Sequence, residues 1–450
     1  MRDLAFIAFL LAFFTMGFKR PFLLVLVYVY IDIVSPQRLT YLLLNTVPIS
    51  LIAVALAVGG WILADDKRDT RVGARQVLIV LLMLYCWVTT IGADFPVEAK
   101  EKWDWVWKTL IFAAFLPLTL RTRLRIESLL LFMILSASSI IIVGGIKTIA
   151  SGGGGYGQLN LMVDNNSGLY EGSTISAVAI AIIPLIFWFM SYGTIFKPDW
   201  RVKGFCLALV FACLLIPVGT STRTGLVCIG LLAVLSVRAV KRKALYLAAV
   251  AALGLAAIPF LPSAFTDRMN TIKTYDADES ASTRLAVWKW TIEYAKTHPF
   301  GGGFEAYRGN RIRYDLKSTG GAAAPGPRVE TDKARAFHSA YFEMLGEQGY
   351  LGLALWLAIS IAGLFRMEVL RRRYRDPAGP FGWAGPLAAA LQTAHLVYLL
   401  GAAFIAIAFQ PFVYMLIGAQ IGLDTYLARR RSEATKAPMR TVRTPAAVPA

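Results

Sequence analysis

Apolar and polar residues in this chain come in long blocks. Apolar runs of roughly 16–24 residues recur, each about long enough to cross ~30 Å of hydrocarbon as a helix. They fall near residues 3–18, 22–35, 43–63, 77–93, 105–120, 128–148, 172–195, 204–219, 224–238, 244–261, 348–366, 385–408 and 411–427. None alternates residue by residue, as barrel strands would. The first two runs are short and joined by Lys19-Arg20-Pro21, which suits a re-entrant or broken pair. That basic junction also stands where a small-residue cleavage site would follow a signal peptide, so the first run is expected to stay as a helix. The pattern predicts an all-α polytopic membrane protein of about twelve transmembrane helices.

The polar blocks between the runs differ in sign. Basic clusters occupy alternate connections: Lys67 to Arg75, Arg121 to Arg125, Lys197 to Lys203, Arg238 to Lys243, Arg366 to Arg375 and Arg429 to Arg431. The positive-inside rule assigns all six to the cytoplasm. Segments 94–104, 149–171, 220–223, 262–347 and the turn at Gln410-Pro411 then face outward. The expected organisation is an N-terminal bundle of about ten spans over 1–261 and a periplasmic loop domain over 262–347. C-terminal helices follow over 348–428, then a disordered cytoplasmic tail over 429–450.

Composition agrees with that reading. The chain is 57% hydrophobic and 16% charged with mean hydropathy +0.57, which excludes an ordinary soluble domain. Its net charge of +18 sits largely in the connecting clusters. Lipid and an anionic lipid-linked substrate are therefore better partners than nucleic acid. The four cysteines lie inside apolar runs, and no metal-type spacing occurs. No phosphate-loop or dinucleotide glycine pattern is present, so neither cofactor nor metal is expected.

The outward segments hold the candidate chemistry. Thr220-Ser221-Thr222-Arg223-Thr224-Gly225 places an arginine at the membrane boundary, against the charge bias of that side. A guanidinium there either snorkels to lipid phosphate or binds a substrate phosphate in a bidentate pair. Ser221 and its neighbours would let phosphate oxygens approach. In 262–347, residues Ser282 to Ala295 read as an amphipathic helix whose first turn carries Arg284, one turn before Trp288. Both can face one cleft. Residues 318–336, with Gly320-Gly321 and Pro325-Gly326-Pro327, suggest a mobile lid. His338 follows it, opening a helix with Ser339 and Tyr341 before the next apolar run. It is either a general base or a packed interfacial histidine, whereas His298 and His395 read as structural. Asp164-Asn165-Asn166 offers amides to sugar or phosphate, and equally caps the next helix. Two arginines and a histidine suit departure of a lipid-linked pyrophosphate, with the histidine deprotonating an acceptor hydroxyl for direct, inverting attack.

These residues resemble the bacterial O-antigen ligases, within the wider group of ligases, polymerases and protein O-oligosaccharyltransferases. The family's signature of a histidine, a small polar residue and spaced glycines is met by His338-Ser339, Gly349 and Gly352. Its Ser-x-Arg element appears as Ser221-Thr222-Arg223, its arginine-tryptophan helix as Arg284 and Trp288, and its asparagine pair as Asn165-Asn166. The resemblance implies a GT-C-type glycosyltransferase with one large helical periplasmic loop, in a bacterial inner membrane. It implies that undecaprenyl-pyrophosphate-linked O-antigen passes to lipid A–core on the periplasmic face without metal or nucleotide. His338 would be the base, Arg284 and Arg223 would hold pyrophosphate, and Asn165, Asn166, Ser221, Trp288, Ser339 and Tyr341 would contact substrate. A polymerase, or a ligase acting on exported polysaccharide or protein, shares the chemistry with a different acceptor. A lipid-linked glycan transporter would carry internal repeats and charges near mid-membrane, and the sequence shows neither plainly.

Overall fold

A computed structural model describes residues 2–40, 47–68, 70–151, 168–262, 279–316 and 328–436, together with 44, 265, 266 and 269. The chain opens with α1 (Arg2–Lys19), α2 (Phe22–Val34) and the single turn α3 (Pro36–Leu39). Then come α4 (Ile49–Ala64), α5 (Ala74–Ile91), α6 (Pro96–Thr119) and α7 (Arg123–Ser151). α8 (Gly172–Tyr192), α9 (Trp200–Gly219), α10 (Arg223–Ser236) and α11 (Lys243–Ala257) follow. The long polar segment contributes α12 (Glu279–Thr297), β1 (Arg311–Leu316) and β2 (Arg328–Lys333). α13 (Ala340–Arg373), α14 (Ala384–Ala402) and α15 (Pro411–Lys436) complete the described chain.

Among the described residues, each apolar run marked in the sequence is helical over most of its length. Among the described residues five helices are long and apolar enough to cross a membrane: Ala74–Ile91, Arg123–Ala150, Gly172–Tyr192, Trp200–Gly219 and Ala340–Arg373. α2, α4, α10 and α11 are apolar but shorter. α8 is the central helix. It is buried without interruption from Ser173 to Ile183 and packs against α9, α10 and α14. A helix apolar on every face can only be stable so enclosed. Cys86, Cys206, Cys213 and Cys228 are free and buried.

Three expectations needed correction. The outward segment 94–104 is largely helical, because Pro96 at the first helical position and Glu98 in the first turn start α6 early. That change puts Glu98, Glu101, Lys102 and Trp105 on one helical stripe. The run 385–408 is helical only to Ala402. Beyond it the backbone is held by side chains: Trp356 Nε1 donates to the Ala408 carbonyl at 3.1 Å, Tyr398 Oη donates to Ile407 at 3.0 Å, and the Ala408 amide donates to Glu343 at 2.9 Å. Irregular backbone inside a bundle needs such partners. Finally, the segment 318–336, expected as a mobile lid, holds a strand over Arg328–Lys333. β2 pairs antiparallel with β1, Arg311 opposite Lys333. The hairpin seats Ile312 in a small core with Val287 and Phe337. Residues 318–327 of that segment, Gly152–Gly155 and 437–450 of the expected tail lie outside the described residues, while 429–436 of that tail continue α15 as helix.

Candidate active site

α13 is helical by hydrogen bonding but broken at Gly349, where φ is +62° and ψ −165°. Only glycine takes that conformation without strain. The break frees main-chain carbonyls, and the glycine run after α12 uses them. Gly302 N–H donates to Gly346 at 3.0 Å and Gly303 N–H to Glu347 at 2.9 Å, while Tyr350 N–H returns to Pro299 at 3.0 Å. Gly301 and Gly303 also have positive φ. A Cβ on Gly301 would collide with the Glu347 carbonyl, and one on Gly349 with that of Pro299. The polar segment is therefore clasped to the bundle by main chain against main chain. The turn after α5 joins in, as Asp94 N–H donates to Gly302 at 2.8 Å and the Asp94 carboxylate accepts from Tyr294 Oη.

Above this clasp lies a cavity of about 750 Å³. His338 and Arg284 both line it. His338 is half-buried with φ +49°, immediately before the N-cap Ser339 of α13. Trp288 fixes this approach from behind. Its Nε1 donates to the Phe337 carbonyl at 2.9 Å, and its ring stacks on Phe342 with centroids 4.9 Å apart. Burial and the nearby Arg284 guanidinium hold the His338 pKa below its ordinary value, Glu171 opposes them, and Arg335 lowers it further. At neutral pH the imidazole is thus the neutral form that can accept a proton.

The other walls escaped the sequence reading. α6 supplies Glu98, Glu101, Lys102 and Trp105, and the residues around Glu305–Arg308 face them. Phe404 to Gln410 form a mostly apolar wall. Glu171, Ser173 and Thr174 enter from the start of α8. Glu171 caps that helix, accepting from Ser173 N–H at 3.0 Å and from Thr174 N–H at 2.6 Å. At one side Lys102 Nζ lies 2.7 Å from Glu343 and 2.8 Å from Glu347. All three are nearly enclosed, and the Glu305 amide donates to Glu347 at 3.0 Å. The triad ties α6, α13, the clasp and the wall at Ala408 together. It was missed because it pairs one lysine with carboxylates 241 and 245 residues away. Only the i, i+4 spacing of Glu343 and Glu347 on a half-apolar helix hinted at it.

The remaining predicted residues that the structure describes do not line this cavity. Arg223 begins α10, and its turn packs on the first turn of α8, where Gly172 leaves room for Thr220 and Thr222. The hydroxyls expected to admit phosphate are spent between helices: Ser176 Oγ meets Thr220 Oγ1 and Thr222 Oγ1, each at 2.9 Å. Ser221 is buried with φ +50°. Gly225 serves packing, since a Cβ there would sit 2.6 Å from Pro217. Ser339 is also buried, and Tyr341 Oη donates to the Leu399 carbonyl at 3.1 Å. Asn165 and Asn166 lie outside the described residues. His298 stacks on Tyr294, and His395 bonds Gln420 at 3.2 Å.

Residues 207–357 match the family model for O-antigen ligase. The likeness to that family is confined to this part, which is less than half of the chain. Residues 1–194 match a family of unknown function. No curated protein matches the chain. The ligase-family segment carries Arg223, Arg284 and His338, whereas Glu98, Glu101, Lys102, Trp105 and Glu171 belong to the first segment. One cavity is thus built from both, with a third wall from Phe404 to Gln410.

Proposed function

We propose that the chain is an O-antigen ligase-type glycosyltransferase of a bacterial inner membrane. It transfers a glycan from undecaprenyl pyrophosphate to an acceptor hydroxyl, with lipid A–core as the acceptor, at an outward-facing site. The observation that carries this is the meeting of His338 and Arg284 in one sizeable cavity. Its aromatic Trp105 and Tyr307 suit sugar faces, and its carboxylates suit sugar hydroxyls.

His338 takes the proton of the acceptor hydroxyl as its oxygen attacks the anomeric carbon. The bond from that carbon to the pyrophosphate oxygen breaks, and configuration inverts. Arg284 stabilises the charge growing on the departing pyrophosphate. Arg223, on the turn packed against the start of α8, lies outside the cavity lining and is given no step in this reading. The Lys102–Glu343–Glu347 triad holds α6 and α13 in register around the reactants. Outward orientation is supported by the helix ends: α6, α8 and α13 bring their cavity ends together, while Arg121, Lys197 and Arg371 to Arg373 cluster beyond the opposite ends. The spans number about twelve in this reading.

The test supplies purified protein with undecaprenyl-pyrophosphate-linked glycan and lipid A–core, without nucleotide and with chelator, and follows product size on a gel. Label moving onto the core supports ligation. Glycan lengthening on the carrier would make the chain a polymerase, and no movement of glycan at all would overturn the reading.

A further inference from the structure

Accepting a proton turns His338 into a cation beside two guanidinium groups, Arg284 on α12 and Arg335 on its own approach segment. Lys102 and Arg308 add positive charge to the same cavity. A base that must charge itself in such surroundings needs a counter-ion held at a fixed place. Glu343 and Glu347 line the cavity but are engaged by Lys102, and Glu98 and Glu305 flank Arg308. Glu171 is different. It lines the same cavity as His338, from the α8 side, and its negative charge opposes the lowering of the His338 pKa. Ser173 N–H and Thr174 N–H fix both its oxygens, and Thr174 Oγ1 adds a third bond at 2.7 Å.

We infer that Glu171 is a positioning residue for the transfer reaction, the fixed counter-charge that steadies the imidazolium of His338 as the acceptor proton arrives. This rests on the general-base reading of His338. It also gives the first 194 residues a part in the chemistry, since Glu171 belongs to that segment. The proton goes from acceptor oxygen to imidazole nitrogen, and Glu171 neither gains nor loses one.

The test is Glu171→Gln in the full chain, reconstituted in nanodiscs. Gln keeps an acceptor oxygen for the α8 cap, so the fold is preserved. Two readouts are taken. Histidine ring NMR, with three histidines in the chain and His338→Ala to assign the signal, should show the His338 pKa falling by roughly half to one unit, because a stabilising anion is gone. Glycan transfer against pH should show the acid limb moving down by the same amount and the plateau rate falling about tenfold. Glu171→Asp should restore part of the rate. An unmoved His338 titration in E171Q overturns the proposal, whether or not transfer is observed. A pH-dependent transfer surviving in His338→Ala but abolished in E171Q would overturn it too, making Glu171 itself the base. Should wild-type protein transfer no glycan, the functional reading fails separately, while the NMR shift still decides the electrostatic link.

Discussion

At the residue scale, His338 and Lys102 are cationic or cation-forming groups placed for opposite purposes. As the proposed base, His338 works only when neutral, and burial with Arg284 holds its pKa below the ordinary value. Transfer should therefore rise through a titration below about pH 6.5 and stay level above it. Removing the adjacent positive charge moves that limb the other way. Arg284→Gln should raise the limb toward higher pH and also lower kcat/KM, measured as transfer rate against pH at limiting donor. His338→Ala should cost at least about a hundredfold in rate while the protein inserts normally. Lys102, in contrast, is there to neutralise. Lys102→Met leaves Glu343 and Glu347 facing each other without a counter-ion, and should destabilise the fold by about 3–5 kcal/mol. Thermal unfolding in detergent would show it, and an unchanged midpoint would mean that the triad contributes nothing to stability.

At the scale of elements, the clasp between the glycine run and the broken α13 makes the sharpest prediction. Gly349→Ala forces a side chain into positive φ and against the Pro299 carbonyl. A non-glycine residue in such a conformation costs about 1–3 kcal/mol before the collision is counted. Limited proteolysis should then cut the segment between α12 and α13 faster than in wild type. The helices themselves were legible, because hydrophobic runs long enough for a bilayer can be read one residue after another. So was α12, whose apolar stripe repeats at helical spacing. Less legible was whatever depends on pairing across distance. The strands Arg311–Leu316 and Arg328–Lys333 are short and rich in charge, and only the alternation Arg311-Ile312-Arg313-Tyr314 marks them. The end of α14 at Ala402 could not be read either, since Phe404 to Phe409 are as apolar as the helix before them. The partners that release this backbone from a helix are Trp356, Tyr398 and Glu343, two of them from α13. At the site, the sequence pointed to His338 and Arg284 because each opens a helix at the border of a polar segment. It gave Trp288 and Tyr341 to substrate, whereas both spend their polar atoms on main-chain carbonyls.

For the whole molecule, the arrangement of charges predicts sidedness. A cysteine introduced at Glu101, exposed at the cavity mouth, should react in intact cells with a membrane-impermeant maleimide once the outer membrane is permeabilised. One at Lys67 should react only after lysis. The four native cysteines are buried and give little background. Reversed labelling would turn the cavity toward the cytoplasm and remove the outward-facing site. At the same scale, both matched segments line one cavity. The part that matches the ligase model brings His338, Arg284, Glu343 and Glu347, and the first segment brings Glu98, Glu101, Lys102 and Glu171.

The clasp at Gly349 has a bearing on how such a protein changes over time. Its bonds run from amide to carbonyl, groups that every residue except proline carries in the same form. A point mutation can break that joint but has nothing in it to adjust. The join between the polar segment and α13 is therefore held at one setting. New acceptors are to be gained at the surfaces that do consist of side chains, the α6 stripe and the wall from Phe404 to Gln410.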